Sequence, residues 1–172
     1  MDYASLIRTI PDFPKAGILF RDLTPLFSHA NALQSMIQDL AAPFQQKGIT
    51  QVVGIEARGF IVGSLLASAL HAGFIPVRKP GKLPATCLNA HYSLEYGVDS
   101  LQIHFDALHA QDKVLLADDL VATGGTALAA IELIRQLGAE LVGMASIIDL
   151  PALGGSSRLK QQGVTFHHLV DY

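Results

Sequence analysis

The sequence predicts an α/β fold, a mostly parallel central sheet flanked by helices, in a single domain over residues 1–172. Three observations predict it. Short apolar runs rich in valine, isoleucine and leucine recur at 50–55, 74–77, 114–117 and 140–150, as strands buried on both faces require, and 164–170 reads as a final strand. Segments with apolar residues at helical spacing alternate with them at 31–47, 60–71 and 127–137. Half of the 172 residues are apolar, which suits a sheet covered on both sides, and the length fits one sizeable core.

Taken in order, residues 3–10 read as a short helix stopped by Pro11. Pro11, Pro14 and Gly17 then deny both helix and central strand to the segment that follows, and Ile18-Leu19-Phe20-Arg21-Asp22 runs from apolar to charged. By residue type alone, Phe20 favours the core over a stacking platform. The helix at 31–47 rests on Leu33, Met36, Ile37, Leu40 and Phe44, with Gly48 as its stop and Pro43 implying a kink or an early end. Strand 50–55 leads into Glu56-Ala57-Arg58-Gly59. Ligands of open parallel sheets collect beyond the carboxyl ends of the strands, so Arg58 is placed to meet an anion; the plainer alternative is a surface pair with Glu56. Residues 59–70 carry no charge, but the uninterrupted run is shorter than the ~20 residues a bilayer demands and reads as a buried helix. Strand 74–77 ends in Arg78-Lys79-Pro80-Gly81-Lys82-Leu83-Pro84. Three cations among prolines and a glycine repel one another until an anion arrives, which suits a mobile loop settling on a polyanion, a solvated loop being the alternative. Residues 101–105 alternate as a returning strand after a turn at Gly97-Val98-Asp99. Residues 156–162 read as helical.

The densest information lies in 113–128, K-V-L-L-A-D-D-L-V-A-T-G-G-T-A-L. An apolar strand is closed by Asp118 and Asp119. Ala122, Thr123, Gly124, Gly125 and Thr126 then form a turn of small residues before Ala127, Leu128, Ile131, Leu133, Ile134 and Leu137 recur at helical spacing. A loop so placed aims backbone N–H groups and the positive end of a helix dipole at one point, where a phosphate is the natural guest. Acids beside a phosphate would repel it unless they served another purpose. A carboxylate can accept hydrogen bonds from a vicinal diol or hold Mg²⁺ through water. The ligand implied is a sugar phosphate. A Gly-Gly turn can be only a turn, and paired aspartates also end the Mg²⁺-binding strand of nucleotide hydrolases, but no G-x-x-x-x-G-K-[ST] is present, nor a G-x-G-x-x-G after a strand.

Net charge −3 and the absence of long basic runs argue against a nucleic-acid binder. A lone cysteine, Cys87, cannot form an internal disulfide, and residues 1–5 lack the start of a signal peptide; both favour the cytoplasm. The seven histidines show no zinc-like spacing.

V-L-L-A-D-D-L-V-A-T-G-G-T resembles the phosphoribosyl-diphosphate (PRPP) motif of the type I phosphoribosyltransferases. That resemblance implies a loop, Ala122 to Thr126, that wraps the 5′-phosphate of PRPP, with Asp118 and Asp119 facing the ribose hydroxyls. Three further stretches resemble adenine phosphoribosyltransferases: P-D-F-P-K-A-G-I-L-F-R-D, E-A-R-G-F, and R-K-P-G-K-L-P with Y-S-L-E-Y-G. They imply the type I fold with a small N-terminal hood (about 11–27), in which Leu19, Phe20 and Arg21 meet adenine, the backbone of Leu19 and Arg21 at its Watson–Crick edge. They also imply a long flexible loop (about 80–104), and a diphosphate site of Arg58, Arg78, Lys79 and Lys82 with a cis peptide at Glu56-Ala57. Glu95 is then the catalytic acid near purine N7, with Arg58 beside the leaving group and Tyr96 closing over the site. The expected reaction is transfer of phosphoribose from PRPP to adenine, giving AMP and diphosphate with Mg²⁺ held near Asp118 and Asp119 through substrate and water, in a homodimer with no nucleic-acid or membrane partner. A guanine- or xanthine-using relative and a PRPP-sensing regulator are the alternatives.

Overall fold

A computed structural model describes residues 1–93 and 98–172. In chain order, β1 (Arg8–Pro11) and β2 (Leu19–Asp22) form an antiparallel ribbon, followed by α1 (Thr24–Ser28) and α2 (Ala30–Ala41). Next come β3 (Gln51–Ile55), α3 (Gly59–Ala69) and β4 (Gly73–Val77), then the hairpin strands β5 (Cys87–Ser93) and β6 (Val98–His104). The chain continues with β7 (Lys113–Val121), α4 (Gly125–Gln136), β8 (Glu140–Asp149), α5 (Gly155–Gln161) and β9 (Phe166–Asp171). Five strands pair in parallel in the order β4-β3-β7-β8-β9.

The central position of β7 follows from its sequence. Val114, Leu115, Leu116 and Ala117 are all completely buried. Val114 and Leu116 face a core shared with α4, α5 and the β5–β6 hairpin, while Leu115 and Ala117 face the core of α1, α2 and α3. A strand with no wet face needs apolar residues at both parities, which is why it reads as a run and not an alternation. No helix among the described residues is long and apolar enough to cross a membrane.

Three local expectations are corrected. Residues 3–10 are not a helix: only Ala4–Leu6 make a 3-10 turn, and β1 begins at Arg8. The β-branched Thr9 and Ile10 pair with Arg21 and Phe20, and Pro11 is tolerated because the ribbon is an edge. Val98 and Asp99 are strand and not turn, pairing with Ser93 and Tyr92, because burial of Leu101 and Ile103 under α4 draws the alternating pattern back to Val98; Gly97 lies outside the described residues. β7 runs on to Val121, so Asp118 and Asp119 lie within the strand, held there by pairing with β8. Pro43 ends α2 early, as expected, and residues Ala42–Phe44 tighten into a 3-10 turn.

Close packing of α3 on the sheet sets up the site. A Cβ on Gly54 of β3 would lie 2.6 Å from Phe74 Cε2 and 3.0 Å from the Gly59 carbonyl oxygen. A Cβ on Gly59 would lie 2.8 Å from Asp118 Oδ1, so the first turn of α3 rests directly on the carboxylate end of β7. Gly54→Ala therefore forces the helix off the strand; urea unfolding is expected to show a loss of about 1–3 kcal/mol. A loss below about 0.5 kcal/mol, the range of ordinary surface changes, would show that the contact is not tight.

Candidate active site

Beyond the carboxyl ends of β3 and β7 lies a cavity of about 440 Å³. Its walls include Glu56, Ala57 and Arg58 from the loop after β3, Lys79 after β4, and the continuous stretch from Asp118 to Ala127. This is where open parallel sheets gather ligands. Gly124, at φ +78°, takes the left-handed turn that lets α4 start at once, so the first amides of the helix open onto the cavity rim.

The expected residues are only partly brought together. Arg58, Lys79, Asp118, Asp119, Ala122, Thr123, Gly124, Gly125 and Thr126 line the cavity. Arg78 and Lys82 do not line it, but both bind Glu56, which does. Of the hood residues, Phe20 packs edge-on against Phe13 and lies 5.1 Å beneath the Arg58 guanidinium. It is therefore half-buried on the hood and no part of either core. Leu19 is exposed, and the Arg21 side chain is engaged elsewhere, donating to Thr9 and lying 3.8 Å over the Tyr172 ring. Glu95 and Tyr96 lie outside the described residues. The Glu56-Ala57 peptide is cis.

Every cation of the set already holds a carboxylate. Arg58 Nε donates to Asp119 Oδ2 at 2.5 Å, where surface pairing with Glu56 had been the plainer expectation. Glu56 instead accepts from Arg78 Nε at 2.7 Å and from Lys82 Nζ at 2.6 Å. Lys79 Nζ pairs with Asp99, which also accepts from the Tyr92 hydroxyl at 3.0 Å. The expectation of three mutually repelling cations is thus corrected: Glu56 from the loop after β3 and Asp99 from β6 compensate them. Glu56, Asp99 and Tyr92 are the working residues that sequence reasoning missed. Only Glu56 carried a signal, standing in the same loop as Arg58; the others reach the site through the hairpin.

The electrostatics follow from these contacts. Burial pushes the Glu56 carboxyl up, but hydrogen bonds from Lys82, Arg78 and a backbone amide outweigh it and hold the group below the usual carboxylate range. Its bond to Lys79 leads the causes that hold Asp99 low, and the same bond raises Lys79. Asp118 behaves oppositely. Desolvation first, and the neighbouring Asp119 charge second, raise it well above the ordinary range. Its Oδ1 accepts the Asp119 backbone N–H at 2.9 Å. The oxygen-only donors of Asp118 and Asp119 suit a hard cation such as Mg²⁺, and Asp119's hold on Arg58 favours contact through water over direct ligation.

Residues 28–163 match the phosphoribosyl transferase domain family. The chain is 54% identical over 166 residues to an adenine phosphoribosyltransferase of Yersinia pseudotuberculosis, covering 96% of this chain and 89% of that one. The crystal structure of adenine phosphoribosyltransferase from Rhodothermus marinus superposes with a TM-score of 0.94 at 49% identity, covering 99% of this chain and 96% of that chain. The Saccharomyces cerevisiae adenine phosphoribosyltransferase, complexed with an imino-altritol bisphosphate and adenine, superposes with a TM-score of 0.91 at 39% identity, covering 98% and 97%.

Asp118 generates a prediction for the free protein. Its ionised form is disfavoured in the folded chain, so stability is withheld at pH above the raised pKa and regained as pH falls through it. Asp118→Asn is expected to raise the thermal midpoint at about pH 8 and to lose that advantage toward pH 4, the ordinary aspartate value. A midpoint difference that does not change with pH would show that Asp118 ionises freely.

Proposed function

The chain belongs to the phosphoribosyl transferase family, and from that premise we infer its reaction: it transfers the 5-phosphoribosyl group of PRPP to adenine, giving AMP and diphosphate, a purine-salvage step. What supports this reading most is one arrangement: the turn of 122–126 and the carboxylates of Asp118 and Asp119 share a cavity with Arg58 and Lys79, each already paired with a carboxylate.

In our assignment, the amides of Ala122, Thr123, Gly124, Gly125 and Thr126 hold the 5′-phosphate, helped by the dipole of α4. Asp118 and Asp119 accept from the ribose hydroxyls, which fixes the anomeric carbon over the cavity. Adenine lies between the hood residues Leu19, Phe20 and Arg21 and the loop that carries Glu95 and Tyr96. Displacement at the anomeric carbon forms the bond to the purine nitrogen while the C–O bond to diphosphate breaks, its electron pair leaving with the diphosphate. Charge therefore builds on the leaving group. Arg58, Arg78, Lys79 and Lys82 take up that charge by exchanging Asp119, Glu56 and Asp99 for phosphoryl oxygens. Mg²⁺, held near Asp118 and Asp119 through water, supplies further neutralisation of the diphosphate when bound. Glu95 manages the purine proton, a general acid–base role worth ~10²–10⁴-fold.

Incubation of the protein with PRPP, Mg²⁺ and each purine base in turn tests the reaction. AMP from adenine is expected, with little nucleotide from hypoxanthine, guanine or xanthine; a reversed preference would assign another base, and no nucleotide from any would leave only a PRPP binder. Glu95→Gln is expected to lower kcat about 10²-fold with the KM for PRPP within about twofold. Unchanged turnover would remove Glu95 from the mechanism.

A further inference from the structure

The loop of 122–126 is held from behind by a segment that no part of the reaction above uses. The Gly155 N–H donates to the Ala122 carbonyl at 3.0 Å, and Arg158 Nη1 donates to the Thr123 carbonyl at 2.8 Å. These are consecutive carbonyls of the loop. In a trans peptide the C=O and the following N–H point in opposite directions. Fixing the Ala122 oxygen therefore fixes the Thr123 N–H, and fixing the Thr123 oxygen fixes the Gly124 N–H. Ala122, Thr123 and Gly124 line the cavity and neither Gly155 nor Arg158 does, so the carbonyls are gripped from the side away from it.

The grip is close. A Cβ on Gly155 would lie 2.3 Å from the Ala122 oxygen and 2.8 Å from the Gly124 nitrogen, and one on Gly124 would lie 3.0 Å from the Gly155 Cα. Two backbones touching without side chains seat Gly155 directly against the loop and fix the peptide between Ala122 and Thr123. Gly155 alone supplies this contact through its main chain, but the second carbonyl is held by a side chain, and that side chain carries a charge. A charge-assisted donor on a carbonyl also polarises that peptide, strengthening its N–H as a donor on the far side.

We propose that Arg158 is a positioning residue for phosphoribosyl transfer: by clamping the Thr123 carbonyl from outside the cavity it presets the Gly124 amide toward the 5′-phosphate. This rests on the reading that the loop holds that phosphate. Arg158 does not touch substrate, and its side chain is exposed on α5, so its replacement leaves both cores intact. Without the clamp the peptide between Thr123 and Gly124 is free to turn, and the phosphate must order it at the moment of binding.

Calorimetric titration of the wild type, Arg158→Ala and Arg158→Lys with AMP and with adenosine separates the two readings, with thermal midpoints as a check on folding. Wild type is expected to bind AMP much more tightly than adenosine. Arg158→Ala is expected to lose about tenfold toward AMP, the cost of one charge-assisted hydrogen bond, with adenosine binding unchanged and the same ratio at low and high salt. Arg158→Lys, which keeps a donor of similar reach, recovers part of the loss. In turnover, the KM for PRPP rises and that for adenine does not. If Arg158→Ala keeps the full preference for AMP, or if its deficit disappears at high salt as mere charge attraction would, the clamp is overturned while the phosphate loop stands. If the wild type itself fails to prefer AMP over adenosine, the phosphate reading falls and the clamp with it.

Discussion

Two carboxylates at consecutive positions of a strand that has no wet face on either side set the terms for everything around them. Asp118 and Asp119 stand where β7 emerges from two cores, one after the other along the chain, and burial disfavours charge on Asp118. The fold resolves this unequally. Asp119 is given a cation, Arg58, and Asp118 is given a backbone amide and a glycine helix start against which it packs. The close seat of α3 on β3 and β7 is what brings Arg58 to Asp119. The same crowding that a Cβ on Gly54 or Gly59 would disrupt therefore underlies the electrostatics of the cavity.

The rest of the site extends this pattern of local compensation. Three carboxylates, Glu56, Asp99 and Asp119, pair with four cations, Arg58, Arg78, Lys79 and Lys82, and Glu56 takes two of them. A site so balanced has no large uncompensated field in the free protein and no reason for its basic loop to be repelled outward. In the proposed reaction the ligand exchanges partners on both sides at once, with phosphoryl oxygens for the cations and ribose hydroxyls for the acids. A simple anion satisfies only half of that exchange, since taking the cations strips Asp119, Asp99 and Glu56 of their partners.

What the sequence made legible, and what it did not, divides along this line. The parallel strands could be read because burial on both faces leaves an apolar run that no amphipathic element imitates, and the loop of 122–126 could be read because its small residues follow directly on such a run. The N-terminal segment was misread because Tyr3, Leu6, Ile7 and Ile10 satisfy helical spacing while strand pairing of residues 8–11 with 19–22 decides the outcome, and pairing overrode local pattern. The ion pairs were opaque for a related reason. Arg58 and Asp119 are separated by 61 positions, and Lys79 and Asp99 by 20, so that residue type and loop position gave the cations but not their partners.

Backbone contacts are harder still to foresee, and they brace the loop of 122–126 from behind. Gly124 and Gly125 announce a turn that a ligand can approach, but a loop open to a ligand on one side must be supported on the other or its amides have no fixed direction. That support comes from Gly155 and Arg158, after the next strand, and leaves no periodic signature: a glycine there could equally end a turn, and an arginine on a short exposed helix could equally be solvated. Only the register of β7 against β8, which sets Val121 opposite Asp149 and so brings the turn after β8 beneath the loop after β7, makes the two meet. The support of the loop's carbonyls is thus a property of sheet pairing, and the strand that carries the carboxylates also determines how the loop proposed to hold phosphate is braced.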